Sequence, residues 1–213
     1  MGDDLTAEIV VRALAAGGVG TLRLVRRSGP LPEVVGAAVT GSNPEVRLDV
    51  RARPVSGAGW LDALAGCEAI VRSGFDDDPM LRAAVRLGVP VVVARAGTDA
   101  VDVVAFRRHG PCPHAPLDIP EVPASVQPVE GAAAVIAGEL AAAEALLLLG
   151  GTRADAPGRA HHAHVALDGG ASRSVDFPWA PECFSCGGAG SEMAFGVPDA
   201  EIPTAGAGRK GDA

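Results

Sequence analysis

The sequence predicts an α/β fold in which a mostly parallel sheet carries helices on both faces. Short β-branched runs alternate with helix-type segments, which is typical of parallel strands joined by helices. The run Pro90–Ala94 is apolar throughout, as expected of a strand covered on both faces. With 213 residues, 48% of them hydrophobic, the chain can form one domain with a sizeable core. We assign that domain to residues 1–188 and expect the Gly/Ala-rich residues 189–213 to form a flexible tail.

The first predicted element is a helix over Leu5–Ala16, because Leu5, Ile9 and Ala13 fall on one face at helical spacing. The glycine-rich run Gly17–Gly20 follows this helix and is predicted to end it. A phosphate-binding loop needs its glycines between a strand and a helix start, so this run is not predicted to bind phosphate. Further strands are predicted at Thr21–Val25, Glu45–Val50, Ala69–Val71, Pro90–Ala94 and Val101–Phe106, the last two of parallel type. Further helices are predicted at Pro32–Thr40, Trp60–Ala65, Asp76–Leu87 and Val129–Leu149. A late hairpin is predicted at His164–Leu167 and Arg173–Phe177.

No strand is predicted ahead of the first helix. An open nucleotide-binding α/β fold begins with a hydrophobic strand that leads into its first helix, and ligand phosphates lie at that junction. The prediction is therefore a Rossmann-like sheet that lacks its usual first strand. Three explanations stay open: a strand supplied from elsewhere, a wrongly assigned start, or a sheet without that strand.

Charge and composition argue against two classes of function. The net charge of −8 disfavours nucleic-acid binding, which needs a concentrated basic face. The most apolar segment, Val129–Leu149, contains Glu130, Glu139 and Glu144, each costly in hydrocarbon, so no membrane span is predicted. The first residues lack the positive charge of a signal peptide, and we expect a cytoplasmic protein.

A family resemblance rests on five segments taken in chain order. They are Ala13–Val25 with its Gly-Val-Gly turn, Asn43–Val46, Cys67–Val71 with the later Gly88–Pro90, Gln127–Gly131 running into Glu139–Gly151, and Pro181–Gly187, which reads Pro-x-Cys-x-x-Cys-Gly. Together these segments resemble the ThiF/MoeB/HesA family, bacterial relatives of ubiquitin-activating enzymes. The resemblance implies a Rossmann-like fold, dimerisation with a family homologue, and a carrier protein or peptide as binding partner.

The family adenylates a C-terminal carboxylate with ATP and magnesium, and this sequence departs from the residues that do so. Arg26 and Arg27 stand where the resemblance places the acidic residue that holds the ribose, and the phosphate-binding lysine has no counterpart. Asp76 and Asp77 lie near the expected magnesium-binding aspartate, although capping of the following helix explains them equally simply. Likewise, Arg26 and Arg27 can belong to a solvated turn after a strand, with no role in binding. We expect that independent ATP activation is lost, and these departures argue against ATP binding.

The cysteines suggest a structural zinc site. Cys183-x-x-Cys186 supplies half of a tetrahedral site, and Cys112 stands where the resemblance places the first cysteine of the other half. Alanine occupies the fourth ligand position, so His114 is the candidate substitute. A redox pair and a metal-free vestige are the alternatives. Cys67 is expected to be a buried thiol at a strand edge.

Three histidines, His161, His162 and His164, form the remaining polar cluster. Neighbours on a strand point to opposite faces, which disfavours a shared metal site. Two functions stay open. One is a non-catalytic or partner-dependent subunit that binds a carrier protein or peptide, and the other is a repurposed enzyme that tailors a peptide or small metabolite.

Overall fold

The computed structural model of the protein describes residues 5–26, 33–54, 56–73, 79–107, 131–151 and 159–178. The helices within them are α1 (Leu5–Ala16), α2 (Glu33–Ser42), α3 (Gly57–Leu64), α4 (Pro79–Leu87) and α5 (Ala132–Leu149). The strands are β1 (Thr21–Arg26), β2 (Arg47–Ala52), β3 (Ile70–Ser73), β4 (Val91–Ala96), β5 (Ala100–Phe106), β6 (Arg159–Ala166) and β7 (Arg173–Pro178). Every predicted element that falls on described residues is present, with shifted ends. The largest shift is at β6, which begins five residues before the predicted His164.

The strands form two sheets rather than one. β1 and β2 pair in parallel, and a second sheet has the order β3-β4-β5-β6-β7. Within that sheet β3 and β4 are parallel, while β4 to β7 are antiparallel. The parallel prediction for Val101–Phe106 is wrong, because only three residues, Gly97–Asp99, join β4 to β5, too few for a crossover connection. The predicted α/β fold class, with parallel sheet elements and helices on both faces, is confirmed.

Helices cover the sheets on both sides. On one side, here called the α1/α5 face, α1, α2 and α5 pack on inward residues of β1, β3, β4 and β5, among them Leu24, Val92 and Val103. On the other, the α3/α4 face, Trp60 and Met80 pack on residues such as Val91 and Val104. The alternate residues of β4 and β5 supply both cores, as expected of strands buried on both sides.

The break between the sheets lies between β1 and β3. Among the described residues, β1 is paired only with β2, and β3 only with β4. Both strands nevertheless contribute to the same two cores: Leu24 and Val71 to the α1/α5 face, Val25 and Ile70 to the α3/α4 face. The described residues begin at Leu5, the first residue of α1, so the predicted lack of a preceding strand stays a prediction.

Helices α1 and α5 approach each other closely at Gly138. A Cβ atom built there would lie 2.6 Å from Ile9 Cβ and 3.1 Å from the backbone oxygen of Thr6. By length and hydropathy α5 could cross a membrane, but 44% of it is buried inside the protein. Ala137, Ala141 and Ala145 are among its buried residues. Its apolar character is thus accounted for by its place in the core of a globular domain.

Candidate functional site

The carboxyl ends of the parallel strands form the edge of the sheet where ligands bind in open α/β folds. α1 begins beside the end of β3, where Thr6 and Ala7 line a cavity together with Arg72 and Ser73. From the end of β3, α1 runs back to the opposite end of the strands, where the turn Gly17–Gly20 leads into β1. β1 therefore runs in the same direction as β3. All four parallel strands, β1 to β4, therefore end at one edge, which we call the carboxyl edge.

An arginine lies at or next to the end of each of these four strands. They are Arg26 on β1, Arg51 on β2, Arg72 on β3 and Arg95 on β4. The last three lie on the α3/α4 face. Arg51 is opposite Val25 and Arg72 is opposite Val93, and both valines belong to the core of that face. Arg95 is two residues after Val93 and so shares its face. Arg51 also donates from Nε to Asp49 Oδ2 at 2.8 Å. The described part of this edge is rich in cationic side chains although the whole chain is acidic.

The cavity beside α1 is small. Its volume is about 10 Å³, enough for about one water molecule and far below the size of a pocket for a nucleotide. Thr6 and Arg72, which line it, are both buried. The described part of the crevice between α1 and β3 is therefore almost filled by the protein's own side chains.

Most of the sequence-predicted site residues lie outside the described part of the chain, and for these the predictions stand untested. They are Arg27, Asp76, Asp77, Cys112, His114, Cys183 and Cys186. Arg26 is described: it ends β1, is half-buried, and its backbone oxygen accepts a hydrogen bond from Arg53 at 2.6 Å. Cys67 is half-buried, and its Sγ lies 3.8 Å from Arg23 Nη1.

A second polar cluster lies at the same edge, on the α3/α4 face of β5 and β6. Asp102 is opposite His164 in the antiparallel ladder, and His162 is two residues from His164 on the same face. Asp102 Oδ1 lies 2.8 Å from His162 Nε2 and 2.8 Å from His164 Nδ1. Asp102 and His162 are buried, while the His164 side chain is 19% exposed. Arg95 lies opposite Asp102 on the other neighbouring strand.

The carboxyl group of Asp102 is held in its ionised form. Burial alone acts to raise its pKa, but the hydrogen bonds from His162 and His164, together with the positive charge those rings can carry, outweigh burial. The pKa of Asp102 is therefore below its ordinary value of 3.8. A buried carboxylate with two imidazole partners is a polar centre that the surrounding apolar core makes rigid.

His161 lies on the opposite face of β6 and belongs to a separate set of contacts. Its Nδ1 is 3.0 Å from Glu144 Oε1 on α5, and its Nε2 is 2.5 Å from Ser174 Oγ on β7. The alternation expected from neighbouring histidines is thus confirmed for His161 and His162. The argument against a shared metal site applies only to neighbouring residues, because His162 and His164 share a face. The sequence signal was Asp102 within the apolar run Val101–Phe106, because a carboxylate in a buried strand is costly unless it has polar partners.

Comparison with known proteins gives a likeness in structure only. No protein-family model matches the chain, and no curated protein matches it. The solved structure of E. coli MccB with MccA-N7isoASN is similar with a TM-score of 0.67 and 15% identity, over 86% of this chain and 65% of that one. E. coli MccB with ATP gives 0.66 and 15%, over 86% and 64%, and PaaA gives 0.59 and 12%, over 80% and 61%.

The chain therefore spans slightly less than two thirds of the length of these structures. At such low identities the likeness establishes the fold alone. The carboxyl edge, the helices on both faces and the strand order together give this chain the ThiF-like, Rossmann-like α/β fold that the sequence resemblance predicts.

Proposed function

We propose that the protein binds the C-terminal tail of a peptide or carrier protein at the carboxyl edge, and that any ATP-dependent activation of this tail depends on a partner chain. The observation that carries the proposal is the arginine at the end of each parallel strand: Arg26, Arg51, Arg72 and Arg95. A ligand with a free carboxylate suits such an edge, because guanidinium groups bind carboxylates through two parallel hydrogen bonds.

The position of these arginines supports the proposal further. The carboxyl edge is where open α/β sheets place their ligands, and guanidinium groups at this edge attract an anionic group. MccB, which has the same fold, was crystallised with MccA. A peptide partner for this chain follows by analogy with that complex.

Dependence on a partner for ATP chemistry is supported by two features of the described residues. Arg26 ends β1 where the resemblance places an acidic residue for the ribose, and a guanidinium cannot accept the ribose hydroxyl hydrogens. The part of the crevice between α1 and β3 that the described residues line has room for about one water molecule. We accordingly propose a degenerate ATP site, completed in a dimer with a family homologue.

The residues outside the described part of the chain complete the proposal. Asp76 and Asp77 follow β3 in sequence, where the resemblance places a magnesium-binding aspartate. Cys112, Cys183 and Cys186, with His114 as the fourth ligand, would form a structural zinc clip. Neither feature is needed for the tail-binding test below.

The test uses a pool of short labelled peptides of mixed sequence, prepared with either a free C-terminal carboxylate or a C-terminal amide. Fluorescence anisotropy should show binding of the carboxylate pool, weaker by about tenfold or more for the amide pool, because hydrogen bonds to charged groups contribute about 1.5–3 kcal/mol. The variant Arg95→Gln should lose this preference. Arg86→Gln is the matched control, since Arg86 lies in the last turn of α4, exposed and away from the carboxyl edge. Equal binding of both pools would contradict the proposal.

Partner dependence is tested separately by exchange of labelled pyrophosphate into ATP with the purified chain and the carboxylate pool. We expect no exchange by the chain alone. Exchange without a partner would overturn that half of the proposal and leave tail binding standing.

The second candidate is a repurposed enzyme, and the same arginines favour it if they hold phosphates instead of a carboxylate. MccB has also been crystallised with ATP. Thermal unfolding distinguishes the two: a ligand that binds the native state raises its melting temperature. A rise with ATP but not with carboxylate peptides would favour the repurposed enzyme.

A further inference from the structure

We propose that Asp102, His162 and His164 form a binding site for a divalent transition metal, best suited to Zn²⁺, at the carboxyl edge of the sheet. The site is independent of the proposed cysteine clip, because it uses none of the cysteines. It also does not depend on the tail-binding function proposed above.

The geometry of the donor atoms carries the proposal. One ligand atom from each of the three residues lies within 4.8 Å of the others, and both nitrogens are 2.8 Å from Asp102 Oδ1. Ligand atoms around a tetrahedral zinc are about 3.3 Å apart, since each lies about 2.0–2.1 Å from the metal. Binding therefore requires each nitrogen to move about half an ångström away from Asp102 Oδ1, while the two nitrogens, which lie within 4.8 Å of each other, settle at a similar separation.

The chemistry of the donors selects the class of metal. Two imidazoles and one carboxylate suit zinc, cobalt and nickel, whereas magnesium and calcium prefer oxygen ligands alone. The donor set therefore favours a divalent transition metal over magnesium or calcium.

The strands hold the three residues in a fixed relation. Asp102 and His164 are direct partners in the β5–β6 ladder, and His162 follows two residues away on the same face. β4 and β7 support this pair on either side. A site on regular strands is more rigid than one on loops, which lowers the cost of organising the ligands when metal binds.

Three protein ligands leave one tetrahedral position for water or substrate, the arrangement typical of catalytic rather than structural zinc. Partial exposure of His164 gives that position a route to solvent. Arg95 lies opposite Asp102 on β4, so an anionic fourth ligand is favoured over a neutral one.

The competing explanation is that the two rings simply satisfy a buried carboxylate. Each neutral imidazole has one N–H to donate, and a carboxylate oxygen can accept two hydrogen bonds. Geometry without metal is the same under both explanations. Metal titration separates them.

The experiment titrates Co²⁺ into the full chain carrying Cys112→Ser, Cys183→Ser and Cys186→Ser, after treatment with a chelator. We expect one equivalent of Co²⁺ to bind with the visible absorption of nitrogen and oxygen ligands and without thiolate charge-transfer bands. Binding should weaken at least about tenfold in His164→Gln, which removes a ligand at a half-exposed position, and in Asp102→Asn. Zn²⁺ should displace the Co²⁺.

The matched control is Glu144→Gln, which alters the His161 contacts on the other face of the same strand and should leave Co²⁺ affinity unchanged. Circular dichroism of every variant confirms that it is folded. If the chain with these three serine substitutions binds no Co²⁺, or if His164→Gln binds it as tightly as the parent, the proposal is wrong.

Discussion

The two faces of strand β6 use the same residue type in opposite ways. On the α1/α5 face, His161 has one partner for each ring nitrogen, Glu144 and Ser174, from two different elements. On the α3/α4 face, His162 and His164 both point to a single oxygen of Asp102. The first arrangement connects β6 to helix α5 on its face and to its neighbouring strand β7. The second concentrates donor atoms at one point.

This difference teaches that a histidine run in a strand should be divided by face before its function is judged. A pair at i and i+2 can share a partner across the ladder, while the residue between them belongs to the other core. Substitutions on one face of the strand can be compared with substitutions on the other face or at an exposed position.

The largest expected effect comes from Asp102→Ala. It leaves two imidazoles on the α3/α4 face without their common acceptor, and loss of one partner from a buried ionic group costs about 3 kcal/mol. Urea unfolding in the presence of a chelator should show a decrease of that size in the free energy of unfolding. A change below about 1 kcal/mol would mean that this face does not depend on the carboxylate.

On the α1/α5 face, Gly138→Ala should destabilise by about 2 kcal/mol, because the added methyl group overlaps Ile9 and approaches the backbone oxygen of Thr6. Helix propensity alone would predict the opposite sign. Gly57→Ala is the control, since a Cβ at Gly57 meets nothing within 4 Å. Thermal unfolding of both variants compares them, and equal melting temperatures would contradict the close approach of α1 and α5.

Glu144→Gln should cost about 1 kcal/mol, since the amide keeps a polar atom beside His161 Nδ1 but removes the carboxylate charge from that contact. Glu139→Gln, on an exposed position of the same helix, should be neutral. Chemical denaturation of the two variants measures the difference. If Glu144→Gln lowers the free energy of unfolding as much as Asp102→Ala does, the polar contacts of the two faces contribute equally to stability.

The smallest effect concerns Asp49, whose side chain is 33% exposed, against 2% for Asp102. Its Oδ2 accepts from Arg23 at 3.1 Å and from Arg51 at 2.8 Å. Desolvation acts to raise its pKa, but these two arginines hold the pKa of Asp49 below its ordinary value of 3.8. The stabilisation is thus present above that value and is lost as the pH falls through the lowered pKa. NMR titration should show the lowered midpoint, and Arg51→Ala should shift it upward.

Sequence patterning predicted the fold well because its signals are local. The period of α1, the apolar run of β4 and the Asp168–Gly170 turn are each contained in a few neighbouring residues. The direction of β5 was mispredicted, because a buried strand has the same composition in either direction. Here the three-residue connection after Ala96 was the better evidence.

The candidate site was less predictable, because its parts come together only through strand pairing. Asp102 and His162 are 60 residues apart in sequence, and only the register of β5 with β6 brings them into contact. The arginines at the strand ends follow the same rule. Each is unremarkable in its own segment, and the row exists only once the four strands share an edge.

The break between β1 and β3 has a consequence for local unfolding. β1 and β2 are held to the rest of the protein by side-chain packing, by α1 and by hydrogen bonds from the Arg23 side chain to the backbone oxygens of Ala63 and Ala65, with no backbone ladder across the break among the described residues. Packing contacts loosen without the stepwise breaking of a hydrogen-bonded ladder, so this pair of strands can open as a unit of its own. In hydrogen exchange, its amides should lose protection at lower denaturant concentration than those of β4 and β5.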